Sequence, residues 1–118
     1  MEDANQHLNL RFEHETHKAH VLLGRIALAQ GDVAGARKEL LEAADVTPEG
    51  ARGALSSFGP NMLLAKELLA KGEKESVMDY LKRCRSFWTG PTAKEKLDAW
   101  SWQVSQGETP DFGANLLY

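Results

Sequence analysis

Chemistry, if this chain performs any, would start in the run Glu13-His14-Glu15-Thr16-His17-Lys18-Ala19-His20, which holds three of its four histidines. Residues three apart on a helix can share a face. Imidazoles so placed can bind zinc or another transition ion. The run departs from the zinc-protease signature His-Glu-x-x-His, because His17 comes one residue early and position 18 is lysine. Steps of three also drift backwards round a helix of 3.6 residues per turn, so the rings converge poorly. Two readings follow: a polar helix surface with one packed histidine, or a metal site resting on His14 and His17.

Nucleophilic catalysis has little to stand on. Cys84 falls on the apolar side of a helical pattern, where a thiol is inert. Ser56, Ser57, Ser101 and Ser105 have no histidine or acid at suggestive spacing. Gly50, Gly53 and Gly59 neither follow a strand nor precede a lysine-serine pair, so no phosphate loop is written here. The chain is therefore expected to be non-enzymatic and to need no cofactor or metal. Lys82-Arg83-Cys84-Arg85 reads as the solvated side of a helix, or as a contact for an acidic partner.

Size and charge narrow the classes further. At 118 residues there is room for one domain. A formal charge of −3 argues against a nucleic-acid binder, which needs a basic surface. One cysteine forms no internal disulfide and fits a reducing compartment. The polar, acidic start MEDANQHLN has no secretory character. No apolar run approaches the ~18–20 residues that a bilayer requires. A cytoplasmic location is expected.

The elements that must position these residues are helices. Val21, Leu22, Ile26 and Ala29 recur at helical spacing and predict a first helix from about Lys18 to Gln30. Leu8 and Phe12 add an extra turn or short helix ahead of it, and Thr16 is either an N-cap or a residue inside one longer helix. Gly31 suits a helix end in the left-handed region, and Asp32 can cap the next helix, Val33 to about Asp45. Pro48 ends that unit. Residues 47–59 form the loosest stretch, with ARGAL able to make a helical turn. A third helix is expected over Asn61–Lys71 and is stopped by Gly72. A fourth, from Glu73 to about Trp88, buries Val77, Leu81 and Cys84. Thr92 and Glu95 form a capping box for a fifth, which lasts to about Gln106 and buries Leu97, Trp100 and Val104.

An internal period links these pieces. Leu23-Gly24, Gly31 and Leu40 reappear 41 residues later as Leu64-Ala65, Gly72 and Leu81, and the turn glycine returns 35 residues after that at Gly107. Helix–glycine–helix units at such spacing describe a solenoid, in which stacking buries the face that one pair cannot. His20, Leu23-Gly24, Ala27, Ala36, Leu40 and Pro48 stand at the spacing of the tetratricopeptide pattern. On these residues the chain resembles the tetratricopeptide repeat family over about residues 17–107. The second unit keeps Leu64-Ala65, Leu68, Val77 and Leu81 but has Thr89 at the closing proline. It also arrives seven residues late. The third keeps only its first helix. The expectation is an all-α, short α-solenoid: repeat 1 at about 17–50, an insertion at about 51–57, repeat 2 at about 58–91, and a capping helix and tail at about 92–118. Small residues Gly24, Ala36 and Ala43 would allow the helices to approach closely, and His20 would take the family's tryptophan position.

The resemblance implies a binding module. First helices of successive pairs line a concave face in this family, which places Val21, Arg25 and Leu28 beside Met62, Lys66 and Leu69, followed by Lys94, Leu97 and Ser101. Arg25, Lys66 and Lys94 would hold the carboxylates of an acidic or C-terminal peptide while the apolar residues fill its pockets. The carboxylate-clamping asparagines of that family have no counterpart placed here. The tail, with Phe112 and Leu116-Leu117-Tyr118, either folds back on the fifth helix or docks into a second copy, and Trp102 either covers it or sits at that contact.

Overall fold

In a computed structural model, α1 (Glu2–Ala29), α2 (Val33–Ala43), α3 (Ala54–Phe58), α4 (Leu63–Ala70), α5 (Lys74–Cys84) and α6 (Ala93–Ser105) follow in order, and a 3-10 turn, Gly113–Leu116, comes last. The structure describes the backbone at 2–45 and 54–117, and side chains at 15–45 and 55–117. Helices account for all the regular structure among the described residues. The expected roles of Leu8, Phe12, Pro48 and Tyr118 lie outside what is described.

Glycine writes the turns as the period predicts. Gly31, Gly72 and Gly107 have φ of 81°, 80° and 82°. After each, the chain closes in the same way. The amides of Gly31 and Asp32 donate to Leu28 and Ala27, those of Gly72 and Glu73 to Leu69 and Leu68, and those of Gly107 and Glu108 to Val104 and Gln103. This doubly bonded ending satisfies carbonyls left over at a helix C-terminus. Asp32 then caps α2 as expected, its carboxylate accepting from the Gly35 amide at 2.9 Å. Thus α1 turns back on α2, and α4 on α5. Across the two pairs, α1 packs on α4 while α2 touches both α4 and α5, and α6 packs on α5.

Close approach depends on Gly24. A Cβ there would stand 2.2 Å from Leu64 Cδ2 and 3.1 Å from Glu39 Cβ, so α1 meets α4 and α2 at one residue. Ala36, Leu40 and Ala43 of α2 and Leu64, Ala65 and Leu68 of α4 are all buried around this crossing. Farther along the core, Trp88, Trp100 and Phe112 pack in series, the first pair tilted and the second edge-to-face, with ring centroids 5.5 and 5.0 Å apart.

Several boundaries differ from the sequence reading. α1 is one continuous helix with Thr16 inside it, about 42 Å long at the usual rise. α4 starts at Leu63, because the Asn61 side chain accepts from the Leu63 amide and holds the preceding residues out of the helix. α5 ends at Cys84, and Phe87 and Trp88 are buried from the turn beyond it. The capping box at Thr92 does not form: Thr92 has φ −108° and ψ 4°, outside the extended region that aims a cap side chain at the helix amides, and its hydroxyl makes no cap bond.

The least expected feature is a buried polar knot at the start of α4. His17 of α1 donates through Nδ1 to the Ala43 carbonyl at 2.7 Å and accepts through Nε2 from the Asn61 amide at 2.9 Å. A carbonyl only accepts and an amide only donates, so the ring is the neutral tautomer with its proton on Nδ1. The Tyr80 hydroxyl of α5 donates to the Asn61 carbonyl at 2.8 Å. The buried Asn115 side chain donates to the Phe58 and Pro60 carbonyls, each at 3.0 Å, and the Asn115 backbone carbonyl accepts from the Met62 amide at 2.9 Å. The tail therefore folds back within the chain, with Phe112 against Trp100 of α6 and Asn115 on the segment that leads into α4.

Two substitutions test this framework. His17→Ala strands the Ala43 carbonyl and the Asn61 amide in the core and is expected to cost about 2–4 kcal/mol, read as a lowered urea midpoint. Gly24→Val forces α1 away from a fully buried Leu64, and a loss of about 1–3 kcal/mol in the same assay is expected.

Candidate functional site

The side-by-side run of α1 and α4 leaves two depressions that share Arg25. One, of about 370 Å³, is lined by Arg25, Leu28, Ala29, Glu67, Ala70 and Lys71. The other, of about 240 Å³, is lined by Lys18, Val21, Leu22, Arg25, Asn61, Leu63 and Leu117. Helical spacing accounts for the first set: Arg25 and Ala29 are four apart on α1, as are Glu67 and Lys71 on and just beyond α4, so each pair lies along one edge. The lining is apolar as well: Leu22, in the smaller depression, is 56% exposed, and Leu28, Ala29 and Ala70 line the larger one.

Arg25 is engaged within the chain. Its Nε donates to Glu67 Oε1 at 2.7 Å and its Nη2 to Oε2 at 3.3 Å, a two-pronged pair across the helices. That hydrogen bond raises the guanidinium pKa, with partial desolvation opposing and the charge of Glu67 adding to it. Both side chains are about 40% exposed, at 39% and 41%, so the pair is screened and adds under about 1 kcal/mol to stability. Lys18 and Lys71 have no carboxylate within ion-pair distance among the described residues. Among the described lining residues, Lys18, Arg25 and Lys71 thus outnumber the carboxylate of Glu67.

The residues expected to line a groove are only partly brought together. Arg25 and Leu28 meet at the larger depression, and Val21 reaches the smaller one although it is buried. Met62 is a correction: it is fully buried, its amide tied to Asn115, and it belongs to the core. Leu69 packs partly buried against that core. Lys66 is exposed on α4 beside the depressions rather than in them. Lys94 lies elsewhere, pairing with Asp98 at 2.6 Å and lining a third depression with Arg85, Trp88, Thr89, Gly90, Ala93 and Leu97. Lys94 and Arg85 together hold the Asp98 carboxyl below its ordinary range. Leu97 is buried and Ser101 partly so. Glu67 and Lys71 are the residues the pattern missed. A sequence shows their helical neighbours but not the distance across to Arg25.

The histidine reading needs correction at His17. Both of its ring nitrogens are occupied in the core, so it has no lone pair to offer a metal, while the side chain of His14 lies outside the described residues. Cys84 is buried as expected. The basic run is a solvated face, with Lys82, Arg83 and Arg85 all exposed, Arg83 pairing with Asp79 at 3.2 Å and Arg85 with Asp98 at 2.8 Å. Trp102 is exposed, and of the described tail residues Leu117 is the large apolar side chain left uncovered. No described helix is long and apolar enough to cross a membrane. No protein-family model matches the chain, nor does any curated protein or solved structure.

Burial pushes the Tyr80 hydroxyl and the Cys84 thiol well above their ordinary values of 10.0 and 9.0, and the charge of neighbouring Cys84 adds to the shift of Tyr80. An unfolded chain gives up both protons near those ordinary values, whereas the folded chain keeps them. Above them the unfolded state holds fewer protons, and stability falls as pH rises. The urea midpoint is expected to be level up to about pH 8.5 and to drop beyond about pH 9. In Cys84→Ala the onset moves towards about pH 10, because only Tyr80 remains to drive it.

Proposed function

We propose that this chain is a non-catalytic binding module, built as a short tetratricopeptide-like array, that takes an acidic segment of another protein on its α1–α4 face. The carrying observation is the pair of depressions joined at Arg25, with Leu22, Leu28, Ala29 and Ala70 for apolar contact and Lys18, Arg25 and Lys71 for carboxylates. Four features favour the array. Helix pairs turn at Gly31 and Gly72 with identical closing bonds, the first helices of the pairs lie together, Gly24 allows their contact, and α6 covers the far end on α5. One feature departs from it. At 28 residues, α1 is much longer than half of a roughly 34-residue repeat.

Extended acidic peptide suits the face for an electrostatic reason. Arg25 already presents a fork that recognises carboxylates, and a guest carboxylate can share it with Glu67. Among the described residues Lys18 and Lys71, at either end, have no carboxylate partner, so a guest with acids spaced along it meets three cations and the carboxylate of Glu67. Lys66 and Lys94, outside the depressions, would contribute general attraction only.

The measurement is fluorescence anisotropy with labelled peptides rich in aspartate, glutamate and leucine. Arg25→Ala with Lys71→Ala is expected to weaken binding by about tenfold and to flatten its salt dependence. Lys94→Ala should leave affinity within about twofold. Equal affinity in the double variant and the parent removes the proposal.

A further inference from the structure

We propose that His20, Glu39 and Glu42 form a site for a divalent transition ion of the zinc class, straddling the α1–α2 hairpin. His20 comes from α1, one turn beyond the buried His17, while Glu39 and Glu42 are three apart on α2 and so share a face. Their ligand atoms all lie within 4.8 Å of one another. His20 Nδ1 stands 2.6 Å from Glu39 Oε2 and 3.6 Å from Glu42 Oε2. Bonds of about 2.0–2.2 Å to a tetrahedral ion place ligand atoms roughly 3.4 Å apart, so Glu42 stands at close to that distance from His20, and Glu39 must draw back from it by under about an ångström.

Charge makes the case beyond proximity. Among the described residues neither Glu39 nor Glu42 has a lysine or arginine within ion-pair distance. Two carboxylates thus converge on one imidazole with no permanent cation, and His20 and Glu39 are only 24% and 23% exposed. A dication supplies the missing charge. On binding, the Nδ1–H···Oε2 bond opens, a neutral ring carries its proton on Nε2 instead, and Nδ1 donates its lone pair to the metal. One imidazole and two carboxylates suit zinc or a neighbouring first-row ion better than calcium, and they leave a coordination position for water. The backbone beneath is firm, since Gly24 brings α1 onto α2 and the Gly31 turn joins them.

The test is calorimetric titration of the metal-free full chain with zinc chloride at pH 7.5, alongside thermal unfolding. One ion per chain at micromolar affinity is expected, with a higher Tm in zinc. His20→Ala and Glu39→Gln/Glu42→Gln should each weaken binding by more than about tenfold and abolish the Tm increase, while circular dichroism shows unchanged helix content. His7→Ala/His14→Ala should bind as the parent does. Absence of heat in the parent overturns the proposal, as does zinc binding that survives His20→Ala or vanishes in the His7/His14 variant.

Discussion

A single neutral imidazole ties this molecule together. His17 spans the end of α2 through Ala43 and the lead into α4 through Asn61, and Asn61 in turn accepts from Tyr80 of α5. Three helices and the segment leading into a fourth therefore meet through a chain of three buried hydrogen bonds. Apolar packing has no direction, and leucines and alanines at helical spacing would tolerate several sliding arrangements. A buried donor or acceptor without its partner costs more than a paired one contributes. The knot thus selects one register of α1 against α4 from those the core alone would accept.

Shape follows from that register. With His17 seated, Gly24 lies two turns farther along α1, where it must meet both Leu64 and the Glu39 stem, and the absence of a Cβ is what permits contact. Arg25, next in sequence, then falls opposite Glu67. The tail completes the same region: Asn115 satisfies the carbonyls of Phe58, the last residue of α3, and Pro60, in the segment between α3 and α4. Phe112, Trp100 and Trp88 carry that closure into α6. The tail is accordingly part of the fold through Phe112 and Asn115, while Leu117 stays exposed.

Two charged features emerge on the two contacts that α1 makes. Against α4, Arg25, paired with Glu67, lies between Lys18 and Lys71, which have no carboxylate partner among the described residues, and this balance of charge underlies the proposed acidic guest. Against α2, Glu39 and Glu42 approach His20 with no lysine or arginine at ion-pair distance among the described residues, the arrangement behind the proposed dication site. Both rest on the C-terminal half of α1, from Lys18 to Ala29, and neither involves the buried Cys84 or Tyr80, whose protons are held by burial.

Local signals in the chain were sufficient for its helices, its turns and much of its core. Gly31, Gly72 and Gly107 mark their helix ends because the left-handed region is open to glycine at no steric cost, and Asp32 caps because a carboxylate beside free amides needs no distant partner. Leu40, Leu64, Leu81 and Leu97 are buried as their spacing indicates. Thr92 misled because a cap motif names side chains, whereas capping also requires a backbone angle. His17 and Met62 misled because helical spacing does not say whether a residue faces solvent or another helix once two pairs are stacked. What only the tertiary structure decided is pairing across helices: Arg25 with Glu67, His20 with Glu39 and Glu42, His17 with Ala43 and Asn61. These partners are 19 to 44 residues apart. Their meeting depends on how closely helices approach and how they are rotated, which a one-dimensional pattern of apolar residues leaves undetermined.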